Sequence, residues 1–216
     1  MKLFDIHTHR LNIPNSIFNA ERDINSLSPN QYFSIGLHPW YLYDKWEEKW
    51  SEFRNYVSNQ NCLAIGEAGF DRLRGPELSI QKAALEEQAN TAKTEGIPLI
   101  LHCVKGHDLL LEYLKNTNSH PEIIWHGWNL KTHLAEQLLP FSINFSFGEK
   151  ILDSKSNASQ WLKNCPKERI FLETDNSEKE IDQIYQAASL ILGLSVEDLE
   201  RQVIQNWNRI SSKKLK

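Results

Sequence analysis

Short apolar runs recur along the chain and alternate with stretches of helical periodicity, and this pattern most constrains the fold. Strands that alternate with helices build a parallel sheet, because each helix carries the chain back across the sheet to the start of the next strand. Seven runs predict strands over residues 2–8, 32–38, 62–67, 98–103, 122–127, 141–147 and 170–174. An eighth run, residues 16–20, is weaker and follows the first with little room for a helix.

The segments between these runs predict helices. Apolar residues at helical spacing begin at Trp46 and end at Val57, as in a helix with one buried face. Residues 77–95 are rich in Ala, Glu, Gln and Lys, and the following Gly96-Ile97-Pro98 would end that helix. Further helices are predicted over residues 107–115, 180–192 and 196–211.

The composition favours one soluble globular domain, predicted to span residues 1–216. A net charge of −4 provides no overall cationic surface for loose wrapping of nucleic acid. The three cysteines are odd in number and far apart, which suits neither a disulfide framework nor a cysteine zinc cage. Because the chain also has no secretory segment and no apolar run of about 20 residues, we predict a cytoplasmic protein without membrane contact.

Polar side chains stand at the ends of five predicted strands. They are His7, His9, Glu67, His102, His126 and Asp175. A His-x-His pair alone is more often a surface or core pair than a metal site, and each of the others alone can be a cap, a satisfied buried histidine or a loop charge. The joint placement favours a metal site, because the carboxyl ends of barrel strands converge at one mouth.

Four imidazoles and two carboxylates can hold one or two divalent cations. This ligand set suits Zn²⁺, Mn²⁺, Fe²⁺ or Ni²⁺, whereas so much nitrogen is less natural for Mg²⁺. If Glu67 bridges two cations, they activate a water and clamp the attacking and leaving oxygens of an ester. Glu67 and Asp175 are therefore the predicted catalytic carboxylates, with Asp175 as the general base.

Seven ordered segments carry a resemblance to a known family: FDIHTHR, SIGLHPW, AIGEAGFD, PLILHC, IIWHGW, FLETD and QNWNRI. In this order and at this spacing they resemble the TatD-type metal-dependent deoxyribonucleases of the amidohydrolase superfamily. The resemblance implies a distorted, partly reduced TIM-type (β/α) barrel with seven or eight mostly parallel strands. It also implies one cation held by His7, His9, Glu67 and Asp175, a second held by Glu67, His102 and His126, and hydrolysis of phosphodiester bonds in DNA.

Three further residues are predicted to bind substrate. His38 matches the family segment SIGLHPW and is expected at the mouth of the cavity. Trp128 lies just past a strand end, where stacking on a base or sugar and packing within the protein are equal alternatives. The family's His-x-Arg reads His102-Cys103-Val104-Lys105 here, so Lys105 is one place late to replace a phosphate-binding arginine. Asp71 and Glu173 are expected to orient metal ligands.

The main departure lies before residue 32, where too few residues remain for the helix, strand and helix that the family carries. We therefore expect one open rim and altered specificity. The leading hypothesis is a divalent-metal phosphodiesterase or deoxyribonuclease that acts as a monomer on DNA or a small phosphodiester. An amide or lactone hydrolase with the same metal site, and a barrel that keeps a metal without catalysis, stay open as alternatives.

Overall fold

A computed structural model describes residues 3–22 and 24–215. Its strands form one parallel sheet in sequential order, so that each strand pairs with the next along the chain. They are β1 (Asp5–Thr8), β2 (Ser16–Asn19), β3 (Tyr32–Ile35), β4 (Cys62–Asp71), β5 (Leu99–Val104), β6 (Ile123–Trp125), β7 (Ile143–Phe147) and β8 (Ile170–Leu172). This eight-stranded parallel sheet, with helices around it, confirms the predicted TIM-type barrel.

The barrel closes through the residues that follow β8. The amide of Asp175 donates to the carbonyl of His7 at 2.9 Å, and the amide of His9 donates to the carbonyl of Asp175 at 3.2 Å. Thr8 and Asp175 accordingly form a parallel bridge. Because closure uses the segment that carries His7, His9 and Asp175, it also brings these three side chains to the same end of the barrel.

Strand β4 is the longest strand among the described residues, and every residue from Cys62 to Asp71 is buried. Its pairing with β5 shifts register between Ile65 and Ala68, where the two backbones approach closely. A Cβ on Gly69, whose φ is +149°, would lie 2.0 Å from the carbonyl oxygen of His102. Only glycine fits such an approach, so this sequence lets β4 pack against β5 while Glu67 lies in the barrel.

Helices surround the sheet. They are α1 (Trp46–Arg54), α2 (Leu78–Glu95), α3 (His107–Asn116), α4 (Thr132–Glu136), α5 (Asn157–Leu162), α6 (Ile181–Leu192) and α7 (Val196–Ile210). The five longer predicted helices are confirmed within a few residues at their ends, and α2 stops at Gly96 in the left-handed conformation, as its sequence predicts. The short helices α4 and α5 were not predicted.

The segment before β3 contains a strand that the sequence predicted only weakly. The weak run at residues 16–20 is the strand β2, which pairs with β1 and β3 and makes the eighth strand of the barrel. The helices are indeed absent: among the described residues between β1 and β3 the only helical element is a 3₁₀ turn, Ile24–Ser26. The first predicted strand begins at residue 2, which lies outside the described residues, and β1 begins at Asp5.

One apolar core joins the sheet to the helices. Apolar side chains of β5, β6 and β7, such as Leu99, Ile123 and Ile143, have no exposed surface. Each of these strands is covered on both faces, which is why their sequences are nearly continuous apolar runs. In the described part of the chain, none of the helices combines the length and the apolar character that crossing a bilayer requires.

Candidate metal centre

The six candidate ligands meet at the carboxyl side of the barrel, with His7, Glu67 and His102 within β1, β4 and β5 and with His9, His126 and Asp175 just after β1, β6 and β8. Their donor atoms fall into overlapping groups in which all atoms lie within 4.8 Å of one another. One group is His7, His9 and Asp175, and another is His7, Glu67 and His126. A third group is His38, Glu67 and His102, so His38, which was predicted only to contact substrate, also lies within reach of a cation.

Glu67 lies at the centre of the site. Its Oε1 atom is 2.8 Å from His126 Nε2, 3.4 Å from His7 Nε2 and 3.9 Å from His102 Nδ1. Its Oε2 atom is 3.6 Å from His9 Nε2 and accepts a hydrogen bond of 2.7 Å from the Asn19 side chain. The carboxylate is 3% exposed, so its two oxygens face the imidazoles and the amide rather than bulk water.

Asp175 completes the side of the site formed by β1. Its Oδ1 atom is 3.5 Å from His9 Nε2 and 3.7 Å from His7 Nε2. The residue has a φ of 50°, a left-handed conformation that turns the chain sharply just after β8. Unlike Glu67, the Asp175 side chain is 36% exposed, so water can reach it from the cavity.

Two further carboxylates contact the histidines from outside. Asp71 Oδ2 lies 3.1 Å from His102 Nε2 and also accepts a hydrogen bond from the indole of Trp40. Glu173 Oε1 lies 3.9 Å from His126 Nδ1 and accepts a hydrogen bond from the amide of Gly127. Carboxylates at these positions fix the orientation and tautomer of a ligating imidazole, which is the role expected of Asp71 and Glu173.

The electrostatics of the site pair buried charges of opposite sign. Burial acts to raise the pKa of Glu67, but His126 and His7 together hold it well below its usual range. Burial acts to lower the pKa of His126, but the charge of Glu67 and its hydrogen bond, together with the charges of Glu173 and Asp175, outweigh burial and raise that pKa to about 10. Burial lowers the pKa of His102 and brings that of His38 to about 3, which favours the neutral form of each ring.

The donor set fits divalent cations. Ligands that lie about 2.0–2.2 Å from one ion are roughly 3–3.5 Å from each other, and the distances around Glu67 and Asp175 are close to this range. Both ring nitrogens of His7 and Nδ1 of His126 are buried and lack a hydrogen-bond partner among the described residues. Buried nitrogens without a partner cost free energy, and a cation bound to His7 would remove part of that cost.

A cavity of about 290 Å³ opens above these residues. Its walls include His9, Asn19, Glu67, His102, His126 and Asp175, together with Arg22, His38, Trp40 and Tyr41. His38 is fixed there because its Nδ1 atom accepts a hydrogen bond from the amide of Trp40 at 3.1 Å. Its ring centre is 4.2 Å from that of His102, so His38 stands at the cavity as the sequence predicts.

Two of the predicted substrate contacts do not reach this cavity. Trp128 is 1% exposed and packs edge-on against Trp125 and Phe145 in the core, at ring distances of 4.9 and 4.8 Å. Its apolar ring contributes to packing, and the expectation that it stacks on substrate is corrected. Lys105 is exposed but absent from the cavity wall, and its carbonyl accepts a hydrogen bond from Arg72. It therefore does not replace the missing arginine.

Sequence reasoning missed Asn19 and Glu21. Asn19 is 7% exposed at the end of β2 and holds Glu67 Oε2, and Glu21 accepts a hydrogen bond from the amide of His38 at 2.9 Å. The usable signal was a polar residue at the end of the eighth candidate strand. It was not used because that strand itself was weak, whereas the other ligands follow clear apolar runs.

The sequence of the chain matches the model of a known protein family. A model of the family described as "TatD related DNase" matches residues 8–212. The chain belongs to this family. The segments that carry the sequence resemblance therefore identified it, and the candidate metal-site residues His7 and Asp175 lie in β1 and just after β8.

Two relatives in sequence are named as metal-dependent hydrolases. An uncharacterized metal-dependent hydrolase of Buchnera aphidicola is 29% identical over 150 residues, which are 68% of this chain and 56% of that protein. Escherichia coli YjjV, also named an uncharacterized metal-dependent hydrolase, is 26% identical over 148 residues, which are 67% of this chain and 57% of YjjV. The chain thus matches a little over half the length of each of these two relatives.

Two solved structures share the fold. The crystal structure of Escherichia coli YjjV, a TatD homologue, superposes with a TM-score of 0.79 at 19% identity and covers 97% of this chain and 98% of its own. A TatD family hydrolase of Entamoeba histolytica superposes with a TM-score of 0.75 at 16% identity, with 99% of both chains covered. At such identities the similarity establishes the barrel alone.

Proposed function

We propose that the protein is a divalent-metal-dependent hydrolase that cleaves phosphodiester bonds in DNA or in a small phosphodiester. The observation that carries this proposal is the position of Glu67, whose carboxylate lies within 4 Å of four imidazoles. One buried carboxylate shared by two sets of histidines is the arrangement that a bridging ligand between two cations requires. Family membership supports the same reaction class.

The two proposed cation positions share this carboxylate. His7, His9, Glu67 and Asp175 would hold one cation, and Glu67, His102 and His126 would hold the other. The identity of the metal is left to measurement among Mg²⁺, Mn²⁺, Zn²⁺ and Ni²⁺. His38 stays a proposed substrate contact. Its Nδ1 atom accepts the hydrogen bond from the Trp40 amide, and its Nε2 atom takes no part in that bond.

Bound divalent cations would supply Lewis acidity, which lowers the pKa of water and neutralises the developing charge on a phosphate. The protein contributes the groups that orient the reactants and move the proton. Asp175 is exposed enough to meet water in the cavity and is the proposed general base that takes its proton. Asn19 keeps the Glu67 carboxylate in place, and Asp71 does the same for the ring of His102.

The test begins with protein stripped of metal by a chelator and reloaded separately with each of the four cations, with metal content measured by elemental analysis. Bis(p-nitrophenyl) phosphate, single-stranded DNA and duplex DNA report phosphodiester cleavage, and p-nitrophenyl acetate and a lactone report acyl cleavage. We expect metal-dependent cleavage of the phosphodiesters. Cleavage of the acyl compounds alone would make the protein an amide or lactone hydrolase, and bound metal without any turnover would favour the non-catalytic barrel.

The general base is tested by Asp175→Asn. We expect kcat to fall by at least about 100-fold, in line with general-base contributions, while the circular dichroism spectrum stays that of the wild type. Asp44→Asn is the matched control, because Asp44 is an exposed aspartate absent from the cavity wall. A kcat of Asp175→Asn within a few-fold of this control would remove Asp175 from its role.

A further inference from the structure

Two arginines at the rim of the metal cavity stack on neighbouring aromatic rings. The guanidinium carbon of Arg22 lies 4.0 Å from the ring centre of Tyr41, and that of Arg74 lies 4.1 Å from the ring centre of Trp40. Both rings line the cavity above the metal site, and Arg22 lines it as well. The loop that follows β2 and the loop between β4 and α2 thus each place one cation at this rim.

Over residues 3–22 and 24–215, no carboxylate forms an ion pair with Arg22 or with Arg74, and both side chains are exposed. By contrast, Arg72 in the same loop as Arg74 is paired with Asp108 at 2.7 Å. Stacking on an aromatic face holds a guanidinium flat and leaves the N–H groups at its edge free to bind an anion bidentately.

Contacts between rings connect these arginines to the metal centre. The ring centre of Trp40, beneath Arg74, is 5.8 Å from that of His102. The ring centre of Tyr41, beneath Arg22, is 5.7 Å from that of His38, which in turn is 4.2 Å from His102. A stacked strand places a phosphate roughly every 3.4 Å along its axis, so a strand whose scissile bond lies at the metals can bring neighbouring phosphates to this rim.

We infer that Arg22 and Arg74 bind the phosphates that flank the scissile bond of a polynucleotide strand, and so make the site selective for oligonucleotides over small phosphodiesters. This inference rests on the proposed function and names its substrate class. Arg22 and Arg74 would also take the role of the arginine that the segment after β5 lacks, because Lys105 in that segment does not line the cavity. Arginine suits the task better than lysine because its planar fork matches two phosphate oxygens at once.

The first experiment measures binding without catalysis. Fluorescein-labelled oligothymidylate of six nucleotides is titrated with the full-length, metal-free protein in a chelator, and its fluorescence anisotropy is followed from low to moderate salt. For the variant Arg22→Ala/Arg74→Ala we expect at least about 10-fold weaker binding, since each lost bond involved charged groups. The slope of log K against log salt should shrink by about 1.4, at roughly 0.7 per phosphate contact on a single strand.

Matched variants separate this role from a general effect of charge. Arg54→Ala removes an exposed arginine on α1, outside the cavity wall, and is expected to bind like the wild type. Arg22→Lys/Arg74→Lys keeps the charge but loses the planar fork, so it should keep the salt slope and recover only part of the affinity. Melting temperatures of all variants, measured by circular dichroism, identify any loss that comes from unfolding.

The second experiment uses the metal-loaded protein and compares two substrates. The ratio of kcat/KM for the hexanucleotide to kcat/KM for bis(p-nitrophenyl) phosphate should fall at least about 10-fold in Arg22→Ala/Arg74→Ala, chiefly through KM for the hexanucleotide, and stay constant in Arg54→Ala. If Arg22→Ala/Arg74→Ala still hydrolyses both substrates and matches Arg54→Ala in oligonucleotide affinity and in this kcat/KM ratio, the inference is overturned. Failure of the proposed function is a different result, because wild-type protein would then cleave no phosphodiester with any cation.

Discussion

Replacing Glu67 by Gln tests the metal centre through stability as well as activity. In the wild type, a cation at a concentration 100 times its Kd stabilises the folded state by about 2.7 kcal/mol. A domain of this size gains roughly 2–4 °C in Tm per kcal/mol, so metal addition should raise Tm by about 5–10 °C. Glu67→Gln removes the one anion that lies within 4 Å of four imidazoles, so both proposed cation positions lose a ligand.

We therefore expect the Tm shift on metal addition to fall below about 2 °C in Glu67→Gln, and hydrolysis to fall with it. Differential scanning fluorimetry gives the shift as a difference between stripped and reloaded samples of the same variant, so a change in the metal-free Tm does not affect it. Glu112→Gln, on an exposed position of α3, is the control and should keep the full shift. A wild-type-sized shift in Glu67→Gln would refute the view that Glu67 bridges the two positions.

Three further predictions follow from particular contacts. Asn19→Ala removes the hydrogen bond to Glu67 Oε2 and should weaken metal affinity about 10- to 100-fold, measured by competition with a chelating dye. Trp128→Phe should lower Tm through lost packing and leave KM unchanged, whereas a raised KM would restore the substrate contact that the core position argues against. Burial raises the pKa of every cysteine thiol, to about 12 for Cys62, so little reactive thiolate exists at pH 8. We therefore expect iodoacetamide to alkylate the cysteines only in denaturant, which mass spectrometry can measure.

The parts of the fold that sequence could predict are those in which a long local pattern decides the structure. Helix α2 spans eighteen residues rich in Ala, Glu, Gln and Lys and ends at a glycine, and the apolar run of β5 is buried. The short helices α4 and α5 offer no such pattern, because five or six residues cannot form a stable helix alone and depend on packing against neighbours. Their existence therefore follows from the barrel and not from their own sequences.

The candidate metal ligands could be brought together from the sequence because each lies within or just after a clear strand, and parallel strands bring their carboxyl ends to one mouth. The surrounding contacts could not, since they depend on side-chain direction after the strand has ended. Trp128 is two residues past His126, yet Gly127, with a φ of +61°, turns the chain so that the indole packs into the core. Arg74 follows β4 by three residues, yet it reaches the cavity rim by stacking on Trp40 from another loop.

The segment before β3 shows which elements the barrel requires and which would affect only the binding of substrate. A barrel without β2 would expose the unpaired backbone groups of β1 and β3, so this strand is needed. Covering helices are not needed here, because the loop side chains Leu11, Ile24 and Leu27 pack against the core. None of the six predicted ligands lies on β2, which contributes Asn19 alone to the Glu67 carboxylate. The absence of outer helices among the described residues of this segment therefore leaves the six candidate ligands in place, and its effect should fall on the side of the cavity where Arg22 would meet the substrate.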